Sequence, residues 1–229
     1  MNILAIDTSG GVCAAAVLAD MHVLSEMYMD GRRTHSETLG VMVDQCLKFA
    51  DMSVSDIDLF ACAIGPGSFT GLRIGVGFIK GLAHVSQRPA MGVNTLDALA
   101  RNAAGFSDFV CPVIDARRGE VYTATYKDGD IQSPYRAVPL KDLLASLQNQ
   151  RTLFLGDAAV KYRDMILGDS TLFSVAHPGI ALQRAASVGL CAFAMYETGA
   201  RHTAYSLEPF YLRETQAERV FAEKRENGA

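Results

Sequence analysis

The apolar positions of the chain keep two rhythms in turn. Residues 3–6 form an apolar run that stops at Asp7, and Thr8, Ser9, Gly10 and Gly11 then supply a turn before a second run at 12–18. This predicts a strand, a turn and a strand. Residues 23–29 alternate as a third strand, after which Leu39, Met42, Val43, Cys46 and Leu47 recur at helical spacing and predict a helix over 36–50. A buried strand at 57–64 ends at Gly65-Pro66-Gly67. A helix over about 69–85, a short strand near 90–93 and a helix over 95–104 follow.

The opening pattern returns near Val113. Ile6 and Asp7 correspond to Ile114 and Asp115, Gly11 to Gly119, Ala16 to Ala124 and Asp20 to Asp128, each pair 108 positions apart. One spacing kept across a whole hairpin points to two related halves rather than to two turns that share a glycine. Helices are then predicted near 140–148, 158–166 and 180–198, with a strand at 152–155 and a polar tail at the end. The order of strands and helices describes α/β architecture, a mixed sheet with helices on its faces in each half. The division expected is 1–104 for an N-terminal lobe carrying partner-binding helices and 105–229 for a C-terminal lobe whose last segment folds back on the first. A repeated unit of this kind, opened by a strand-Asp-turn-strand hairpin, resembles the actin, hexokinase and heat-shock-protein superfamily.

Composition narrows the class. With 229 residues, 49% of them hydrophobic, the chain can bury a real core, and a net charge of -4 argues against a dedicated nucleic-acid binder. The five cysteines are odd in number, widely spaced and set among apolar neighbours, so reduced core thiols are expected rather than disulfides or a zinc knuckle. The start lacks a basic region and its apolar run is too short for a signal peptide, so the chain is expected in the cytoplasm. Arg73 and Lys80 interrupt the most apolar helix, which excludes it as a membrane span.

The sharpest local motif is the run from Gly65 to Gly75 between a buried strand and a helix. Gly65, Gly67, Ser68, Thr70 and Gly71 are candidates for an anion-binding loop, because unpaired amides and the dipole at a helix start favour negative charge. A tight turn that lets the helix pack closely explains the same residues equally well. No lysine follows Gly71, so the loop is not a P-loop. The helix beyond it carries Gly71, Gly75, Gly77 and Gly81, each costing roughly 1 kcal/mol against alanine, so close approach of another backbone is expected to offset them. Leu72, Val76 and Ile79 lie on one flank and Ile74, Phe78 and Leu82 on another, while the preceding helix adds Val41 and Phe49 outside its main stripe. Two adjacent helices with surplus apolar faces predict a subunit interface, and the residues assigned to it are Leu39, Met42, Val43, Cys46, Leu72, Gly75, Val76 and Ile79.

Catalytic chemistry has little support. Asp7 and Asp115 at strand ends can hold a metal or activate water, but an aspartate beside a glycine turn more often caps that turn. His35, His84, His177 and His202 are scattered without metal-ligand spacing, and no nucleophile motif of the G-x-S-x-G type is present. No catalytic residue and no metal ligand is assigned.

Several segments together resemble the TsaB (YeaZ) family over essentially the whole chain: Ile3-Leu4-Ala5-Ile6-Asp7-Thr8-Ser9, His35-Ser36-Glu37, the loop from Gly65 to Arg73, Asp115-Ala116-Arg117-Arg118-Gly119-Glu120-Val121-Tyr122 and Pro209-Phe210-Tyr211-Leu212-Arg213. The resemblance implies an actin-like (ASKHA, ribonuclease H-like) two-lobed fold and a non-catalytic scaffold role in making threonylcarbamoyladenosine on tRNAs that read codons beginning with adenine. It implies a heterodimer with the catalytic paralogue TsaD, assembly with the ATPase TsaE, and a homodimer when the chain is alone. tRNA is then met only through the complex. In the catalytic paralogue a Gly-Val-His-His-x-x-Gly-His segment binds the metal; here it reads Gly92-Val93-Asn94-Thr95-Leu96-Asp97-Ala98-Leu99, so both ligand positions are lost, to Thr95 and Leu99. No cofactor is expected, ATP or ADP being reserved to the assembled complex. The competing reading is a small actin-like kinase or ATPase, against which stand the short chain and the bulky Arg117 and Arg118 in the second turn.

Overall fold

The computed structural model describes residues 1–31, 33–200 and 202–213. The chain opens with β1 (Asn2–Asp7), β2 (Val12–Ala19) and β3 (His22–Asp30), followed by α1 (His35–Phe49), β4 (Leu59–Gly65), α2 (Phe69–Ser86), β5 (Ala90–Asn94) and α3 (Thr95–Arg101). β1 pairs antiparallel with β2 and parallel with β4, giving a sheet ordered β3-β2-β1-β4-β5. The second half continues with β6 (Phe109–Arg117), β7 (Glu120–Thr123), the short β8 (Tyr126–Lys127) and β9 (Asp130–Ile131), and β10 (Arg136–Pro139). It ends with α4 (Leu140–Leu147), β11 (Thr152–Leu155), α5 (Asp157–Lys161), α6 (Arg163–Leu167), β12 (Phe173–Val175), α7 (Pro178–Ala181) and α8 (Ala185–Glu197). Its main path runs β10-β7-β6-β11-β12 with the same parallel and antiparallel senses, so the two halves repeat one topology.

β1 and β2 are buried almost throughout because both faces of their sheet are covered, which is why they read as continuous apolar runs instead of alternating. On one face, α1 and α2 supply Leu39, Met42, Val43, Cys46, Val76 and Ile79 to a core with Leu4, Ile6 and Phe60. On the other face, Ala185, Val188 and Ala192 of α8 pack on Ile3, Ala14, Ala16 and Leu18. α3 comes next, with Leu96 and Leu99 entering the core of the second sheet, whose far face is covered by α4, α5 and α6.

Three expectations are corrected. α8 packs on the first sheet, so the chain crosses back at about residue 185. Its helix begins only there, because Leu182 and Arg184 are extended. The single helix expected over 158–166 is two short ones, interrupted at Tyr162, whose ψ of 26 departs from helical geometry. The 108-residue correspondence also slips by one in the second hairpin. A register shift between Asp115 and Arg117 sets Ile114 opposite Tyr122 where Ile6 faces Ala15, and Arg117, Arg118 and Gly119 all turn through positive φ.

Candidate functional site

A cleft of about 790 Å³ opens between the lobes. Ser9, Gly10 and Gly11 of the first hairpin turn and the start of α2 line one wall; Asp115, Arg117, Asp157 and Lys161 line the other. The first turn is sewn to α2. Thr8 Oγ1 donates to the Gly71 carbonyl at 2.8 Å, the Ser68 amide donates to the Ser9 carbonyl at 2.7 Å, and His35 Nε2 lies 2.9 Å from the Gly10 carbonyl. Asp7 is fully buried and caps its own turn, with Oδ1 accepting from the Ser9 amide at 2.8 Å and the Ser9 hydroxyl at 2.6 Å. Burial pushes its carboxyl up to about 6 in spite of those two bonds, and Oδ2 has no partner among the described residues.

Of the candidate anion-binding loop, the fold brings Gly67, Ser68 and Thr70 to the cleft but not Gly65 or Gly71. Gly65, at φ +126, faces the Phe210 backbone, and a side chain at Gly71 would overlap the Thr8 carbonyl. The Ser68 amide is already spent on Ser9, and its hydroxyl accepts from the Gly71 amide at 3.3 Å as the cap of α2.

The four glycines of α2 divide in two. A Cβ on Gly75 would overlap Thr8 Oγ1, so Gly71 and Gly75 permit close packing within the chain, whereas a Cβ on Gly77 or Gly81 would meet nothing within 4 Å among the described residues. The partner-interface stripe assigned from sequence is therefore corrected: Leu39, Met42, Val43, Cys46, Leu72, Gly75, Val76 and Ile79 are all buried in the chain's own first lobe. The same two helices present a different surface outward. Val41, Phe49 and Val85 are 62%, 72% and 84% exposed, and Ile74, Phe78 and Leu82 are only partly covered beside Gly77 and Gly81.

The second hairpin turn is built from the same cap with a wetter surround. Asp115 Oδ1 accepts from the Arg117 amide at 3.0 Å, its Oδ2 takes Lys161 Nζ at 2.7 Å, and its own amide donates to Asp157 Oδ1 at 3.1 Å. Burial raises Asp157 above the usual carboxylate range. On α3, Thr95 is buried, its hydroxyl without a partner among the described residues, and Leu99 belongs to the second core. Among the described residues no group of three or more His, Cys, Asp or Glu side chains is placed to hold a metal, and no helix is long and apolar enough to cross a membrane.

Sequence reasoning passed over two polar features. Asp97 gathers the hydroxyls of Tyr126 and Tyr135, and buried Gln183 lies against Gly10 with neither amide atom partnered among the described residues. Nothing local marks Asp97 or Gln183, because their neighbours come from distant strands and turns.

Two sheets of one topology, with a cleft between them and an Asp-turn hairpin in each wall, define an actin-like (ASKHA) fold. A ROK hexokinase from Thermus thermophilus shares this fold at a TM-score of 0.53 and 12% identity, over 87% of this chain and 100% of the other. Residues 23–219 match the family described as TsaD, tRNA N6-adenosine threonylcarbamoyltransferase. The tRNA threonylcarbamoyladenosine biosynthesis protein TsaB of Bacillus subtilis is 35% identical over 97% of this chain and 99% of its own. YeaZ from Pseudomonas aeruginosa superposes at a TM-score of 0.78 with 28% identity, over 92% of this chain and 99% of that one. The chain belongs to the TsaB (YeaZ) family.

Proposed function

We propose that the chain is a non-catalytic subunit in the synthesis of threonylcarbamoyladenosine on tRNA, docking on a catalytic TsaD through the outward face of α1 and α2. The observation that carries this reading is that face itself: Val41, Phe49 and Val85 exposed, with two glycines of α2 leaving room for a partner's backbone. Thr95 and Leu99, which stand where the resemblance puts the catalytic relative's metal ligands, are buried and offer no imidazole. TsaE joins the assembled pair, ATP or ADP is bound only there, and tRNA is reached through the complex. Alone, the chain uses the same face to form a homodimer.

The test is a double variant, Phe49→Glu with Val85→Glu, in two of the most exposed apolar positions of the two helices. Homodimer and TsaD complex are each expected to weaken at least about tenfold, more than 1.4 kcal/mol, while thermal unfolding of the monomer is unchanged. Undiminished binding to TsaD would remove the docking face. The purified chain is also expected to show neither threonylcarbamoyl transfer nor peptidase activity, and no stoichiometric zinc or iron. A second reading, a small actin-like kinase or ATPase, has the inter-lobe cleft in its favour. Stabilisation of the isolated chain by ATP in a thermal-shift titration would support it over the scaffold.

A further inference from the structure

α3 lies between the lobes. Ala98 joins the first lobe's core beside α8, and Leu96 and Leu99 join the second lobe's core. Its first turn carries Asp97, on which two phenols from the second lobe converge. Tyr126 of β8 donates to Oδ1 at 2.6 Å, and Tyr135, just before β10, lies 2.9 Å from Oδ1 and 2.8 Å from Oδ2. Tyr135 is backed by the edge of Phe210, 6.0 Å between centroids, and the Phe210 amide donates at 2.7 Å to the Ile64 carbonyl in β4 of the first lobe. At the other end of α3, Asn102 Nδ2 donates to the carbonyls of Ile180 at 3.0 Å and Leu182 at 2.8 Å, and its Oδ1 accepts from Ser187 of α8 at 2.6 Å.

Lobes joined by a modest interface are expected to move relative to one another. In this chain a shift of the second lobe away from α3 would strip Tyr126, which is 4% exposed, of its acceptor, and a buried donor left unmade is costly. Phenol-to-carboxylate bonds are of the charge-assisted, stronger kind. We infer that Asp97, Tyr126 and Tyr135 form an inter-lobe clamp that, with Asn102 at the opposite end of α3, fixes the angle between the two sheets and hence the width of the cleft. On the docking face proposed above, the chain then presents α1 and α2 from one rigid body.

The clamp is tested with Tyr126→Phe and Tyr135→Phe together, which keep both rings in the core and remove only the hydroxyls. Amide hydrogen exchange of the full chain is read by mass spectrometry, with Tyr122→Phe, the loss of a phenol that lines the cleft, as control. Exchange in α3 and in residues 124–135 is expected to accelerate about tenfold or more, with β1, β2 and β4 unchanged and the control like the parent. Asp97→Asn is expected to loosen the same segments. Unchanged exchange there would overturn the clamp, and so would equal acceleration through both sheets, which marks a general loss of stability. Should the double variant not fold, Tyr135→Phe alone is held to the same two outcomes.

Discussion

Asp7 ends β1 and Asp115 lies two residues before the end of β6, and each caps the turn that follows, yet the first is sealed from water and the second meets a half-exposed lysine. Their strands and pairing do not account for this, since both sheets follow one topology. What packs over the turn does. In the first lobe α2 runs for 18 residues, and Gly71 and Gly75 let it lie directly on Thr8. In the second, the helix after β11 is α5, five residues long and broken at Tyr162, with one close glycine, Gly156, set against Val113. A long glycine-bearing helix excludes water from the carboxylate below it; a short one leaves the carboxylate to an ion pair. The shared topology sets the path of the chain, and the covering helix fixes the electrostatics.

The most severe way to break this contrast is Gly75→Leu. Overpacking against a side chain costs roughly 1 to 3 kcal/mol, and here the neighbour is the turn itself, so a loss of about 3 kcal/mol or more is expected in chemical unfolding. Gly81→Leu, where a Cβ meets nothing within 4 Å, is expected to keep or slightly raise the melting temperature while weakening TsaD binding. Equal effects of the two on stability would dissolve the division of the glycines.

Next comes the charge beneath α2. A carboxyl raised from 3.8 to about 6 stabilises the fold fully below the lower value, and that contribution is lost as pH rises through about 6. The difference corresponds to about 3 kcal/mol at most. Asp7→Asn is therefore expected to flatten the pH dependence of stability between about 4 and 6, and to be favourable relative to the parent only above that window. Urea unfolding at pH 4 and pH 7.5 reads both; an equal change at the two values would show that Asp7 is not held up by burial.

The smallest effect belongs to the second turn. Lys161 is half exposed, so Lys161→Met is expected to leave unfolding by urea nearly unchanged, and any small loss is expected to vanish in high salt. A large, salt-independent loss would make the second turn as dry as the first.

The strands at 3–6 and 12–18, the helices of the first lobe and the repeat at 108 residues were legible in sequence because periodicity and turn glycines are local signals. So was the need for close packing along α2. Which partner satisfied it was not legible. A helix with apolar residues on two flanks does not say which flank meets its own sheet, and tertiary packing turned Leu72, Val76 and Ile79 inward, left Phe78 and Leu82 half-buried at the edge of that core and put Val85 outside. The same holds for α8, whose alanine-rich sequence fits either sheet until Ala14, Ala16 and Gly189 bring it close to the first, and for Asp97, whose two tyrosines arrive from 29 and 38 residues away. Sequence by itself determined which elements form and how much apolar surface each carries. Only the tertiary structure decided which surfaces meet, because that choice depends on neighbours that no local pattern specifies.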